Sequence, residues 1–363
     1  MRKFKRLFSQ VKDPRASNAQ HHILDIVFIA LAATLCGAQH CTEMEQFGRS
    51  KEALLREVLD LPHGIPSHDT FSTVFRALQP HAFEAALGKF TKAFNRRLGR
   101  NKTVAIDGKA LRSAYRRGER FTPLHLVNVW ACQARMALAQ RKAPNRNEIA
   151  GAHEVLALLD LDGAIVTTDA LHCTAAMAQA ILDRNGHYVL ALKKNRAQLF
   201  RAVEARFTTA RGASRAHQPS TLAHDRRERR QAAVVPATDM AAQYSFPGIK
   251  AIGRITSWRR TDAAAVKTVR YFLLSRKLAA AQLLKIVRGH WGIENNLHWI
   301  LDVVFAEDKN RSRLDHAPEN LAVLRKLALN MLQTSPYVAS MRRKMLHAAW
   351  NDAFLLSLFR HMR

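Results

Sequence analysis

The chain has 363 residues, 48% of them hydrophobic, which supplies a sizeable core, exceeds one small domain and excludes a disordered chain. Lys and Arg number 57 against 29 Asp and Glu, a formal charge of +28 spread along the sequence and not confined to a tail. A globular protein this basic is expected to meet a polyanion, because phosphate contacts release condensed counterions; a ribosome-associated or merely basic protein is the plainer alternative.

In chain order, residues from about 18 to 95 read as helical. NAQHHILDIVFIALAATLCGA is one apolar helix, and its apolar run from Ile23 to Ala38 contains Asp25 and is short for a bilayer span. CTEMEQFGRSKEALLREVLDL has helical periodicity and stops before Pro62. IPSHDTFSTVFRALQPHAFEAALGKFTKAF offers two helices split at Pro80, with Ser67 or Asp69 as a cap. These helices suit either a helix-turn-helix DNA reader or a docking bundle. The four cysteines, Cys36, Cys41, Cys132 and Cys173, form no CxxC pair, and no secretory leader precedes the first helix, so a reducing, cytoplasmic setting is expected. Cys36, His40 and Cys41 lack an evident fourth zinc ligand and read as small packing residues.

After the basic run NRRLGRNK the pattern changes. TVAIDGKAL, LHLVNVWACQ and RMALAQRKA read as three strands; NEIAGAHEVLALLDL is a helix that Asn147 can cap. GAIVTTDAL is a fourth strand, TAAMAQAILDRNG a helix closed by Gly186, and HYVLALKKN a fifth strand. Three meandering strands followed by alternating helices and strands describe an α/β, ribonuclease H-like mixed sheet flanked by helices. Residues 206–231 read as a basic loop, and the strands after them as a β-rich insertion at about 205–278. Helix returns in AAAQLLKIVRGHWGIENNLHWILDVVF and APENLAVLRKLALNML.

Asp107 and Asp169 both fall at the ends of apolar strands, each before a small residue. A carboxylate there is costly unless something cationic meets it. On neighbouring strands the two converge on one rim, where hard oxygen ligands suit Mg²⁺ or Mn²⁺; a turn or cap role is the plain alternative for either alone. Glu294 is the candidate third carboxylate, with His298 and Asp302 at i+4 and i+8 on one helix face. A zinc site from His290, Glu294 and His298 lacks the HExxH spacing. Lys109, Arg112, Lys193, Lys194, Arg288, His290, Trp291 and His298 are the candidate DNA contacts, Arg226 to Arg230 a backbone-tracking run, and Trp291 and Trp299 candidates for stacking on a base or for core packing.

AIDGK, VTTDAL, RGHWGIENNLHWILDVVFAEDKNRSR and APENLAVLRKLALNML together resemble the ISAs-type insertion-sequence transposases, the H-repeat-associated proteins, and the segments DPRASNAQHHILDIVFIALAATLCGA and IPSHDTFSTVFRAL resemble their N-terminal transposase-associated domain. The resemblance implies a DDE transposase: an N-terminal helical domain at 1–98, a catalytic domain at 99–335 and a basic helical tail at 336–363. It implies a triad of Asp107, Asp169 and Glu294 holding two Mg²⁺ or Mn²⁺ ions, cleavage giving a 3′-OH, and strand transfer. The implied partners are double-stranded terminal repeats and target DNA, with a homodimer in the active complex, no membrane, and a nucleoid-associated location. The wider group places a Tyr, an Arg and a Lys around the glutamate; here those positions are Val287, His290 and Leu301, so Arg288, His290 and Lys309 are the candidates for those roles. A nuclease without strand transfer, a DNA-binding relic, and a regulator using only the N-terminal helices are the rival readings.

Overall fold

The computed structural model describes residues 2–95, 102–114, 123–210, 213–223, 226–260 and 265–360. Most of the NRRLGRNK run, and with it the expected boundary near residue 98, lies outside the described residues.

Six helices come first: α1 (Arg2–Leu7), α2 (Ile23–Leu35), α3 (Cys41–Ser50), α4 (Glu52–Arg56), α5 (His68–Ala77) and α6 (Pro80–Asn95). Helix α2 is apolar all round, and all but two of its thirteen residues are buried, as such a helix requires. The CTEMEQ stretch, expected as one helix, breaks at Lys51 into α3 and α4. Of the two proposed caps, Ser67 is the one used, accepting from the Thr70 N–H at 3.3 Å. Pro80 opens α6, where its missing N–H costs nothing. Burial pushes the Cys36 thiol up to about 12, and the described residues near it form no metal-ligand cluster, which fits a packing role.

The sheet that follows contains, among the described residues, nine strands in the order β3-β2-β1-β4-β5-β9-β8-β7-β6. The first five are β1 (Thr103–Leu111), β2 (Leu124–Ala131), β3 (Met136–Lys142), β4 (Ile165–Thr168) and β5 (His187–Leu192). β1, β2 and β3 meander antiparallel, while β4 and β5 run parallel to β1. This is the ribonuclease H-like arrangement. Helices α7 (Glu148–Leu156) and α8 (Ala175–Leu182) make the crossovers, capped by Asn147 and Thr174. The chain leaves α8 through left-handed Asn185 (φ 55°), not through Gly186 as expected. Asparagine tolerates that conformation, and Gly186 is needed for closeness instead: a Cβ there would lie 3.0 Å from the Ile181 carbonyl oxygen.

After α9 (Ala197–Thr209), residues 206–231 are not the loop their polarity suggested. β6 (Ser214–Ala223) and β7 (Arg226–Pro236) form an antiparallel pair. The stretch is polar on both faces, so no alternation marks it; its strands are recruited by pairing, with β7 zipped along β8 (Ala251–Arg260). α10 (Asp239–Gln243) links those two, and β8 continues into β9 (Ala265–Leu274). β9 then pairs antiparallel with β5, Val189 opposite Leu274, so the β-rich insertion extends the central sheet.

Helix α11 (Ala280–Ile293) runs through a π-helical turn, Glu294–His298, into α12 (Trp299–Val303). Helix α13 (Ala317–Thr334) threads between sheet and N-terminal helices, and α14 (Met341–Trp350) and α15 (Asp352–Arg360) close the chain. Two buried asparagines show how α13 is fixed. Asn320 donates to the carbonyls of Phe75 and Leu78 at the end of α5, both at 2.8 Å. Asn330 pairs with both the N–H and the C=O of Ala137, at 2.9 and 2.7 Å, as a neighbouring strand would. At the far end Phe359 of α15 stacks on Phe28 of α2, with ring centroids 4.3 Å apart.

Candidate active site

The register of β1 and β4 decides where the aspartates go. Ile106 lies opposite Thr168 in parallel pairing, so the next residues, Asp107 and Asp169, emerge side by side where β4 ends. β1 continues as a ribbon with β2, and Asn128 sits opposite Asp107. Asp169 accepts N–H bonds from Leu171 (3.0 Å) and His172 (3.4 Å) on one oxygen, which fixes the carboxylate. The loop after it is tied down in turn, Asn195 donating to Ala170 and Arg196 to Cys173.

Glu294 arrives from above. Gly289 and Gly292 let α11 approach the sheet: a Cβ at 289 would lie 3.3 Å from Cys132 Cβ, and one at 292 would lie 3.4 Å from Trp130 Nε1. His290 Nδ1 meets Thr167 Oγ1 of β4 at 3.0 Å. In the π-turn the Trp299 N–H reaches back to the Glu294 carbonyl, five residues away. The turn presents Glu294 and His298 to Asp107: His298 Nδ1 lies 3.5 Å from Glu294 Oε2 and 3.8 Å from Asp107 Oδ2. Behind it Asn128 Nδ2 lies 3.4 Å from His298 Nε2; with the amide donating, Nδ1 keeps its proton toward the carboxylates.

Asp107, Asp169 and Glu294 thus line one cavity of about 290 Å³, walled by β5, β9 and α11 and including Lys193, His290 and Trp291. Burial, with the Glu294 and Asp169 charges added, pushes the Asp107 carboxyl up to about 8. A hydrogen bond from His298 holds Glu294 down to about 2. The two titrate as a pair, and the proton belongs with the more buried Asp107. Burial lowers His290 to about 4, so it is a neutral imidazole there. Asp107, Glu294 and His298 offer ligand atoms all within 4.8 Å of one another. Crowded carboxylates with a raised pKa form a donor set suited to a hard divalent cation.

The predicted DNA contacts divide. Lys193 and Lys194 are exposed at the end of β5, and Arg112 is 80% exposed beside Asp308. Arg288 and Trp291 face solvent on α11, while His290 is in the cavity wall. Two residues are not surface contacts. Lys109 is buried, with its ammonium 2.6 Å from Asp302 and 3.0 Å from Glu307, because its strand face is covered by α12. His298, in the turn between α11 and α12, is 6% exposed against Asn128 and Asp107 and meets carboxylates instead of solvent. Asp302, expected on the metal-facing stripe, meets β1 two residues beyond Asp107 and belongs to the Lys109 cluster. The sequence reading missed Glu307, whose burial has no local signal in the polar stretch AEDKNRSR, and Lys326, buried in the apolar helix α13. It also missed Arg259 and Arg270, which sit on strand faces.

Among known proteins, residues 5–91 match the family described as DDE_Tnp_1-associated, and residues 98–331 match the family described as Transposase DDE domain. The "H repeat-associated putative transposase YhhI" of Escherichia coli (strain K12) is 31% identical over 350 residues, covering 93% of this chain and 92% of that protein. The "Putative protein YbfL" of the same organism is 31% identical over 355 residues, covering 95% and 94%. An "Uncharacterized protein in dhlA 3'region" of Xanthobacter autotrophicus is 36% identical over 279 residues, covering 75% and 94%. The cryo-EM structure of a piggyBac transposase synaptic complex with hairpin DNA aligns with a TM-score of 0.47 at 12% identity, over 99% of this chain and 83% of that one.

Proposed function

The chain belongs to the DDE transposases with an N-terminal DDE_Tnp_1-associated domain, and from that premise we propose that it cuts DNA at the ends of an insertion sequence, frees a 3′-OH and joins it to target DNA. The observation that carries this reading is the meeting of Asp107, Asp169 and Glu294 in one cavity, with the nearby Lys109 turned away to other acids.

Asp107 is beside Asp169 by register and faces Glu294, and it is the residue that two divalent ions would share. Asp169 would complete one ion's ligands, and Glu294, with His298 beside it, the other's. Bound Mg²⁺ or Mn²⁺ would polarise the phosphodiester, activate the attacking water and stabilise the leaving oxygen. The protein's own part is positioning. The Leu171 and His172 amides hold Asp169, His298 holds Glu294, and the β1–β4 register holds Asp107 beside Asp169. Lys193 lines the cavity and would contact phosphate there, and Lys194, Arg288 and Arg112 supply further exposed cations. Two ends must be joined in one event, so the active complex is a homodimer on paired ends.

The test is cleavage of terminal repeats by the purified chain with Mg²⁺ or Mn²⁺. Asp107→Ala and Asp169→Ala should abolish cleavage and leave DNA binding near wild type; metal-dependent cleavage by either variant would reject the assignment. Pre-nicked ends then separate a transposase from a nuclease, because only the former joins the 3′-OH to a second DNA. Among the described residues no helix is long and apolar enough to cross a membrane.

A further inference from the structure

Beside the paired aspartates lies a buried histidine that the reaction above does not use. His172 is fully buried, and among the described residues neither of its ring nitrogens has a hydrogen-bond partner. A polar ring left so is costly, and such groups mark functional sites. Its Nε2 stands 3.9 Å from Asp169 Oδ1, the same oxygen that takes the Leu171 and His172 amides. The protein thus crowds Asp169 on one oxygen. Burial lowers the His172 pKa, so the ring is neutral, while the charges of Asp169 and Glu148 both pull the other way.

Glu148 is the second part of this arrangement. It stands in the first turn of α7, where an acidic residue commonly faces solvent and serves the helix dipole. Here its carboxylate is turned onto β1: a Cβ at Gly108 would lie 2.5 Å from Glu148 Oε2. Gly108 follows Asp107, so it presents the opposite face of the strand. On that face Ala110 pairs with His125, whose Nδ1 lies 3.0 Å from Glu148 Oε1. The glycine of AIDGK is therefore the residue that makes room for Glu148. The carboxylate touches the backbone next to Asp107, and its charge reaches the ring next to Asp169.

We propose that Glu148 and His172 are positioning residues of the metal centre: Glu148 acts through His172 to fix Asp169 for its cation, and its seat on Gly108 braces the strand that carries Asp107. This rests on the metal-dependent reading above. Neither residue touches the cation or the DNA. Groups that orient metal ligands from behind commonly govern affinity by about ten- to a hundredfold.

The experiment titrates Mn²⁺ into the full chain without DNA, reading free Mn²⁺ by electron paramagnetic resonance, and measures cleavage of terminal repeats alongside. Glu148→Gln keeps the shape, removes the charge, and should weaken Mn²⁺ binding about tenfold. His172→Leu should do the same, whereas His172→Gln, whose amide can stand where Nε2 stood, should stay within about threefold of wild type. Because Glu148 acts through His172, Glu148→Gln/His172→Leu should bind Mn²⁺ no worse than His172→Leu. In Glu148→Gln, cleavage at saturating DNA should fall and recover when Mn²⁺ is raised about tenfold, with metal-free DNA affinity unchanged. A residue that only supports the fold would lower Tm without moving Mn²⁺ affinity. Should His172→Leu fail to fold, Glu148→Gln decides alone, since that side chain is 25% exposed. Wild-type Mn²⁺ affinity in Glu148→Gln, or losses that multiply in the double variant, would overturn the inference. That result together with lost binding in Asp107→Asn would leave the proposed reaction standing, whereas a wild type that binds no Mn²⁺ would overturn both.

Discussion

Lys109 and Asp302 join β1 to α12 by an ion pair of 2.6 Å in which the lysine side chain is 6% exposed. Lys109 is two residues from Asp107 and shares its strand face, so the helix that presents Glu294 to Asp107 presents Asp302 to Lys109 about two turns later. Glu307 closes the same cluster at 3.0 Å. Removing the lysine leaves Asp302 and Glu307 without their shared cation, and breaking such a buried arrangement costs about 3–5 kcal/mol. Lys109→Met should lower the urea midpoint accordingly, and Lys109→Met/Asp302→Asn, which removes the carboxylate whose cation is Lys109 and leaves Glu307 with Lys326 and Arg325, should recover part of the loss. A variant with wild-type stability and a shallower DNA salt slope would return Lys109 to the DNA surface.

Glu307 sets an acid limit. Burial alone would raise its carboxyl, but Lys326, Lys109 and Arg325 outweigh that and hold it down to about 2, against 4.5 when free. Its folded pKa is depressed, so the unfolded chain binds more protons between those values. The stabilisation is fully present above about pH 4.5 and is lost as pH falls toward 2, on the order of 3 kcal/mol for a fully buried group. Denaturant unfolding across that window should show a falling midpoint, and Glu307→Gln should flatten the limb. An unchanged acid limb in Glu307→Gln would remove Glu307 from the account.

Metal should act as a stabiliser through Asp107. Three carboxylates share the cavity, and burial, with the repulsion of Glu294 and Asp169 added, raises Asp107 when no cation is bound. A divalent ion that binds only the folded chain adds RT ln(1 + [L]/Kd), about 2.7 kcal/mol at a hundredfold excess over Kd. Thermal unfolding with and without Mn²⁺ should show a rise of several degrees in the wild type. Asp107→Asn keeps the neutral state that the protonated carboxyl has without metal, so its metal-free Tm should match wild type while the Mn²⁺ response disappears. An undiminished Mn²⁺ response in Asp107→Asn would place the ion elsewhere.

The sequence carried the strand order and both aspartates because those features are local: short apolar runs ending in Asp, with caps such as Asn147 and Ser67 at the next helices. The fates of Lys109 and Asp302 were not legible, because a lysine after AIDG looks solvent-facing until a helix covers its strand face. The β6–β7 pair was hidden for a related reason, since Arg and Glu on both faces give no period. Asn320 and Asn330 looked like ordinary polar helix positions; their bonds to Leu78 and Ala137 exist only across more than 190 residues of sequence. Glu294 was legible as a residue, but the π-turn that aims it has no composition signal in ENNLH.

That turn yields the sharpest test of the site. An α-helix through residues 290–302 would repeat every 3.6 residues, whereas the Glu294–His298 turn closes from residue 299 back to 294 and holds one extra residue. Deleting Asn295 would remove that extra residue, and a regular α-helix could form with the parts on either side near their present directions. Asp302 would still reach Lys109, whereas Glu294 and His298, then three apart, would lose the widened turn that presents both to Asp107. We expect the deletion variant to retain its far-UV circular dichroism and the Lys109 contribution to stability, and to lose the Mn²⁺-induced stabilisation. Substitution Asn295→Ala keeps the residue count and should preserve both. A deletion variant with wild-type stability and a wild-type Mn²⁺ response would mean that the extra residue has no part in aiming Glu294.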